Sequence, residues 1–246
     1  MVWIIKYPFL VWNSKASFPQ VLFRATQMSQ NIQIQTVVSP LFEENAYIIW
    51  KNGQSEAIVV DPGLDPDAIL GLLKKHNLRL THIFNTHGHA DHIAGNEAMK
   101  SAFPEAILLI GLKDAPMLSD PILNLSKKYG IAIRSPKADR LLEEGDKVQA
   151  LGMSFEVLDL PGHSPGHIVF VWHPDPNSSQ STILVGGDVL FQDSIGRTDF
   201  PGGSHKLLIE GIKTKLFILP PDTRVLTGHG PITTIGREIR ENPFLQ

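Results

Sequence analysis

The chain has no cysteine in its 246 residues. That excludes disulfides, a thiol nucleophile and any thiolate metal ligand. A metal site built by this chain must use imidazole and carboxylate, a donor set that suits zinc, iron or manganese. The same absence fits a reducing cytoplasm. Long apolar runs are also missing: none reaches the roughly 18 residues of a membrane-spanning helix. The apolar start, MVWIIKYPFLVW, is broken by Lys6 and Pro8 and lacks the basic start and small-residue cleavage site of a signal peptide. Nor is there a dense basic run, and a net charge of -3 gives no general attraction to nucleic acid or to an anionic membrane. Neither is expected as a partner.

What is present is ordinary for a folded protein: 42% apolar and 19% charged residues. Residues 1–30 show no clear period and are expected to be an extension outside the core, or untranslated with Met28 as the true start. The alternative is an edge strand covering the core. Residues 31–246 are expected to form one domain. Strand patterns cover 32–39, 46–50, 57–61, 80–86, 106–111, 167–172, 181–188 and 223–228, with a hairpin at 148–160. Helical spacing covers 65–77, 91–103, 205–219 and 233–243, the first capped by Asp65 with Pro66 behind it. The polar stretch 112–145 reads as a helix and a surface loop. Strands in a run, then alternating with helices, twice over, suggest a sheet-on-sheet core with helices outside.

The chemistry gathers at strand ends. Four apolar runs finish in polar, glycine-containing elbows: IFNTHGHADH, VLDLPGHSPGH, ILVGGD and VLTGHG. They carry His87, His89, Asp91, His92, His163, Asp188 and His229, with His167 close by. Ligands in α/β proteins collect outside the carboxyl ends of strands, where such elbows can converge. His87 and His89, two apart, point the same way on extended chain, whereas the adjacent Asp91 and His92 diverge. One loop can thus offer two groups to one metal and two to another. Seven candidates are too many for a single tetrahedral ion and about right for two with a carboxylate between them. His76, His82, His173 and His205 lie away from the elbows and read as structural, and His167 reads as a turn residue or a support behind the ligands.

The set Thr86-His87-x-His89-x-Asp91-His92, then PGH at 161–163, GGD at 186–188 and GHG at 228–230, resembles the metallo-β-lactamase superfamily in order and spacing over roughly 32–245. The resemblance implies an α/β (α+β) fold, a four-layer αββα sandwich with the site at one edge of the two sheets. It implies His87, His89 and His163 as ligands of a first metal, Asp91, His92 and His229 as ligands of a second, and Asp188 as the bridging carboxylate. Two divalent ions per chain follow, zinc first, iron or manganese as alternatives. Asp188 stands where some β-lactamase branches have cysteine, which argues against those branches. The implied chemistry is hydrolysis by a hydroxide shared between the metals, with Asp91 and Asp188 as the catalytic carboxylates.

The segments DSIGRTDFPGG (193–203) and TTIGREIRENPFL (233–245) resemble compact, single-domain glyoxalase II-like hydrolases. The implied substrate is a small thioester such as S-lactoylglutathione, whose thiolate leaves without strong acid assistance. The larger glyoxalase II enzymes carry a further helical domain that grips glutathione, and the resemblance here covers only the core. Arg197 is the candidate for a substrate carboxylate, a salt bridge to Asp199 being the competing reading; Arg237 and Arg240 are expected to face solvent. The main rival within the fold is a mononuclear iron persulfide dioxygenase, with His87, His163 and Asp188 as a facial triad. Lactone or β-lactam hydrolysis and nuclease activity rank below it. A non-enzymatic binding module would need lost ligands, and none is lost.

Overall fold

Alternate residues of each central strand enter two different cores, which is why these strands read as unbroken apolar runs instead of an in–out alternation. Tyr47, Ile49, Ile58, Val60 and Phe84 pack between two sheets with Phe155, Phe170 and Leu226. Their neighbours Ala46, Ile48, Ala57, Val59 and Ile83 face the other way, onto Ile69, Leu73 and Met99 of helices. The computed structural model describes residues 31–246; the proposed extension 1–30 lies outside the described residues.

The first sheet runs in the order β1 (Ile32–Val38), β2 (Asn45–Lys51), β3 (Glu56–Val60), β4 (Arg79–Phe84), β5 (Ile107–Gly111) and β6 (Arg140–Leu142). β1 to β3 are antiparallel and β3 to β6 parallel. The second sheet contains β7 (Lys147–Ala150), β8 (Met153–Asp159), β9 (Ile168–Trp172) and β10 (Ile183–Gly187). After a small hairpin of β11 (Leu190–Phe191) and β12 (Ser194–Ile195), it is completed by β13 (Arg224–Thr227), parallel to β10, and an edge strand β14 (Thr233–Thr234). The hairpin expected at 148–160 is formed, the strands expected at 167–172 and 181–188 pair antiparallel as β9 and β10, and Phe155 stands opposite Trp172 and Val157 opposite Phe170 where β8 meets β9.

Helices α1 (Pro66–Lys75), α2 (Ala90–Ile93) and α3 (Asn96–Ala102) cover the outer face of the first sheet and its loops, and α4 (His205–Gly211) and α5 (Ile235–Glu241) that of the second. The result is the four-layer αββα sandwich. Asp65 caps α1, its carboxylate accepting from the Ala68 N–H at 3.2 Å. Among the described residues no helix is long and apolar enough to cross a membrane.

Three sequence expectations need correction. The helix expected over 91–103 is two short ones, broken at Gly95, where the chain runs so close to Pro62 that a Cβ would strike its carbonyl oxygen. The helix expected over 205–219 leaves α geometry after Gly211 and continues as a π-turn, Ile212–Leu216, where the Thr214 hydroxyl donates back to the Glu210 carbonyl at 2.7 Å. In 112–145 there is no α-helix. Two 3-10 turns, Ala115–Leu118 and Ser126–Tyr129, and β6 stand there instead. Asn124 takes over the backbone bonding, donating to the Met117 and Ile133 carbonyls at 3.0 and 2.9 Å.

Candidate metal centre

Both sheets send the carboxyl ends of their strands to one edge of the sandwich. β4 delivers His87, His89, Asp91 and His92; β8 delivers His163, β10 Asp188 and β13 His229. All seven residues expected in the site come together, in groups able to offer converging donor atoms: His87, His89 and His163; His87, His92 and Asp188; and Asp91, His92 and His229. Asp188 touches both ends of the cluster. Its Oδ2 lies 3.4 Å from His163 Nε2 and 3.5 Å from His229 Nε2, and its Oδ1 lies 3.4 Å from His92 Nε2. Gly228 allows this closeness, since a Cβ there would run into Asp188 Oδ1.

Outer partners decide which ring nitrogen of His87, His92, His163 and His229 carries the proton. His163 Nδ1 donates to the Arg197 carbonyl at 2.9 Å, and His229 Nδ1 to the Phe42 carbonyl at 3.1 Å. His92 Nδ1 donates to Asp61 Oδ2 at 3.1 Å. The Thr86 hydroxyl donates to Asp61 Oδ2 at 2.7 Å, which leaves its oxygen to accept from His87 Nδ1 at 3.1 Å. In the neutral rings the inner Nε2 atoms are therefore lone pairs. His89 Nδ1 lies 3.0 Å from His87 Nε2 and 2.9 Å from His163 Nε2, and His92 Nε2 and Asp188 Oδ1 are buried without a hydrogen-bond partner. Converging lone pairs and an orphaned carboxylate oxygen in one buried cluster are what divalent cations with N/O ligands require. The donor set fits two such ions.

Electrostatics sort the cluster. Burial holds the His87 imidazole well below its ordinary pKa, helped by His92 and His89, and pushes His89 down to about 3. Both are neutral, ready donors at physiological pH. Burial also works against charge on His92, but Asp188 and Asp91 outweigh it and raise that imidazole. For Asp188 burial favours the acid, yet His92, then His163 and His229, hold the carboxyl well below the usual range.

Several residues of the site were not singled out by the sequence reading. Asp114 is buried between two loops: it accepts from the Gly88 N–H at 3.1 Å, and from the Ser164 hydroxyl and the Gly166 N–H, both at 2.6 Å. It thereby ties the loop of His87 and His89 to the loop of His163. Asn45 does the same for His229, donating to the Thr227 and Gly230 carbonyls at 3.0 and 2.7 Å, while the Tyr47 hydroxyl donates to Thr227 at 2.7 Å. Glu44 is fully buried beside Gly63; its carboxyl is pushed well up by burial and has no hydrogen-bond partner among the described residues. Asp61 and Asp114 follow apolar strands, so the strand-end signal extends to them. Glu44 precedes β2 and Asn45 opens it, so neither stands at a strand's carboxyl end and neither gives such a signal. His167 sits behind the cluster, stacked 4.8 Å from His87, its Nε2 accepting from the Asp188 N–H at 3.1 Å.

A cavity of about 170 Å³ opens onto the cluster, lined by Asp91, His163, Asp188 and His229 and by an apolar wall of Phe42, Leu125, Tyr129, Ile131 and Phe200. Arg197 lines it too, but its Nε and Nη2 bind the two Asp199 oxygens, both at 2.7 Å. The expected solvent-facing Arg237 is a correction: it pairs with Asp193 at 2.6 Å and with Glu238 and Glu241 at 3.1 Å, tying α5 to the loop after β11. Arg240 is exposed.

The family model described as metallo-beta-lactamase superfamily matches residues 40–229. The hydroxyacylglutathione hydrolase GloC of Haemophilus influenzae is 37% identical over 221 residues, which cover 87% of this chain and 98% of that protein. Among solved structures, BLEG-1 B3 metallo-beta-lactamase has a TM-score of 0.81 and 38% identity, covering 87% of this chain and all of the other. TTHA1623 in a di-iron-bound form has a TM-score of 0.73 and 37% identity, covering 86% of this chain and all of the other.

Proposed function

Because the chain belongs to the metallo-β-lactamase superfamily, we propose that it is a metal-dependent hydrolase of a small thioester such as S-lactoylglutathione. What carries this reading is the likeness to a hydroxyacylglutathione hydrolase along nearly that protein's whole length, joined to a donor set that fits two ions sharing one carboxylate. In this proposal His87, His89 and His163 would hold one ion and Asp91, His92 and His229 the other, with Asp188 as the carboxylate available to both. Divalent ions there, zinc first and iron or manganese as alternatives, would supply Lewis acidity and a nucleophile ionised at neutral pH.

The protein's own groups do the rest. The Thr86 hydroxyl, the Asp61 carboxylate and the Arg197 and Phe42 carbonyls behind the rings fix the tautomer and orientation of His87, His92, His163 and His229, so these donors need not reorganise as charge develops. Asp91 and Asp188, the carboxylates that line the cavity, are the catalytic groups next to the reacting carbonyl. The wall of Phe42, Leu125, Tyr129, Ile131 and Phe200 excludes water and accepts the apolar parts of a short acyl chain. Arg197 is the proposed contact for a substrate carboxylate through the guanidinium donors not bound to Asp199. A cytoplasmic location suits a glutathione thioester.

The test is turnover of S-D-lactoylglutathione with the metal content of the same preparation counted. The expected result is rapid cleavage with about two ions per chain. No cleavage by fully metallated protein would discard the substrate. β-Lactam hydrolysis is the second reading, favoured by the likeness to a B3 enzyme along all of that chain; hydrolysis of a β-lactam by the same preparation, with no thioester cleavage, would put it first. About one iron per chain with persulfide-dependent oxygen uptake would instead favour the dioxygenase.

A further inference from the structure

Two cations reach the same aromatic ring at the mouth of the cavity. The Arg197 guanidinium lies over Phe200 at 4.1 Å from the ring centroid, and the Lys128 ammonium, from the 3-10 turn Ser126–Tyr129, at 5.6 Å. Phe200 in turn sets its edge against His89, centroids 5.3 Å apart, so a single ring separates both cations from the histidine cluster. Their charges are not equally available. Arg197 is held in a bidentate pair with Asp199, which neutralises it. Lys128 has no carboxylate within ion-pairing distance among the described residues, and its side chain is exposed. Arginine, asparate and lysine together leave one uncompensated positive charge at this rim, on a protein whose net charge is -3. Phe42 and Tyr129, which also line the cavity, pack edge to face at 5.2 Å and offer no charge.

We propose that Lys128, beside the Arg197–Phe200 stack, is a specificity residue that binds the anionic end of the substrate's thiol portion, so that the site selects thioesters of carboxylate-bearing thiols over those of neutral thiols. The proposal rests on the thioester reading above and adds to it the part of the substrate that is discriminated. An ammonium on an aromatic face is partly desolvated yet free to turn its N–H groups toward an incoming carboxylate. The guanidinium edge not used by Asp199 adds a second donor to the same anion.

The experiment compares kcat/KM for S-D-lactoylglutathione with that for the S-lactoyl thioester of N-acetylcysteamine, whose thiol is uncharged, in the metal-loaded wild type, Lys128→Glu and Lys128→Arg. The charged-to-neutral ratio is expected to fall about tenfold in Lys128→Glu, the loss of one charge-assisted contact, and to recover in Lys128→Arg. Lys127→Glu is the control: Lys127 lines a separate hollow with Ile122 and Arg134, and an equal fall there would reduce the effect to general charge and overturn the proposal. Binding of S-methylglutathione, a thioether that cannot be hydrolysed, is measured calorimetrically on the same proteins. Weaker binding in Lys128→Glu supports the anion contact even if no thioester is cleaved, an outcome that would overturn the hydrolase reading alone. An unchanged ratio, or equal binding to wild type and Lys128→Glu, overturns the proposal.

Discussion

The two halves of the centre are built from opposite materials. His87, His89 and His163 are at most 6% exposed, all imidazole, and clamped from behind by Asp114 bridging their two loops. The other half mixes His92 with Asp91 and His229, whose side chains are 22% and 29% exposed, and its clamp comes from the start of β2 through Asn45 and Tyr47. Neutral, buried donors favour retention, while a carboxylate and an open face favour exchange and access to substrate. The ion proposed beside Asp91 and His229 should therefore leave first as a chelator is raised, in two resolved steps of metal release.

Asp188 lies against His163 of one half and against His92 and His229 of the other, so removing it is the largest perturbation available. In Asp188→Ala, metal should fall well below one ion per chain and turnover at least about a thousandfold, since both halves would lose a ligand and His92 loses the carboxylate facing its Nε2. Elemental analysis and thioester kinetics on one preparation check this; full activity would sink the bridging role.

Next in size is Asp114→Ala, which should damage the imidazole half and the fold together. Three donors lose a buried acceptor, and at about 1–3 kcal/mol each the destabilisation should reach about 3 kcal/mol after relaxation, read as a fall in denaturation midpoint. Metal loss in this variant should begin with the more tightly held ion, reversing the order of the wild type. An unchanged order of release would show that the halves do not depend on separate clamps.

How much of this was readable in the sequence follows the same division. The convergence of the seven candidate donors was legible because they stand in the elbows that follow four strongly apolar strands, and because spacing of two and one residues around Asp91 splits them between directions. The clamps were harder. Asp114 follows β5 by three residues within a stretch whose prolines and Asn124 side-chain bonds defeat periodicity, and Asn45 is the first residue of its strand, at the end where nothing local distinguishes it from a turn residue. The break at Gly95 was invisible because it depends on Pro62, a long-range approach that no helical pattern records.

Asn45→Ala perturbs the open half alone. Loss of its two bonds to the carbonyls flanking His229 should lower metal content toward one ion per chain while the denaturation midpoint of the apo-protein moves by only about 1–2 kcal/mol. Two ions retained at wild-type affinity would break the comparison.

Tyr47→Phe is the smallest of the series and the most discriminating. The hydroxyl donates a single buried bond to the Thr227 carbonyl, worth about 1 kcal/mol, and the ring stays to fill the inter-sheet core beside Ile49 and Phe84. Thr227 keeps the Asn45 amide as a donor, so His229 should remain in place and both ions bound. The expected signature is a slightly lower midpoint with unaltered metal stoichiometry, measured by chemical denaturation and elemental analysis. If Tyr47→Phe instead released the second ion as Asn45→Ala does, the two donors would act as one unit, and the hold on His229 would come from the fixed position of the Thr227 carbonyl and not from the amide that brackets the loop.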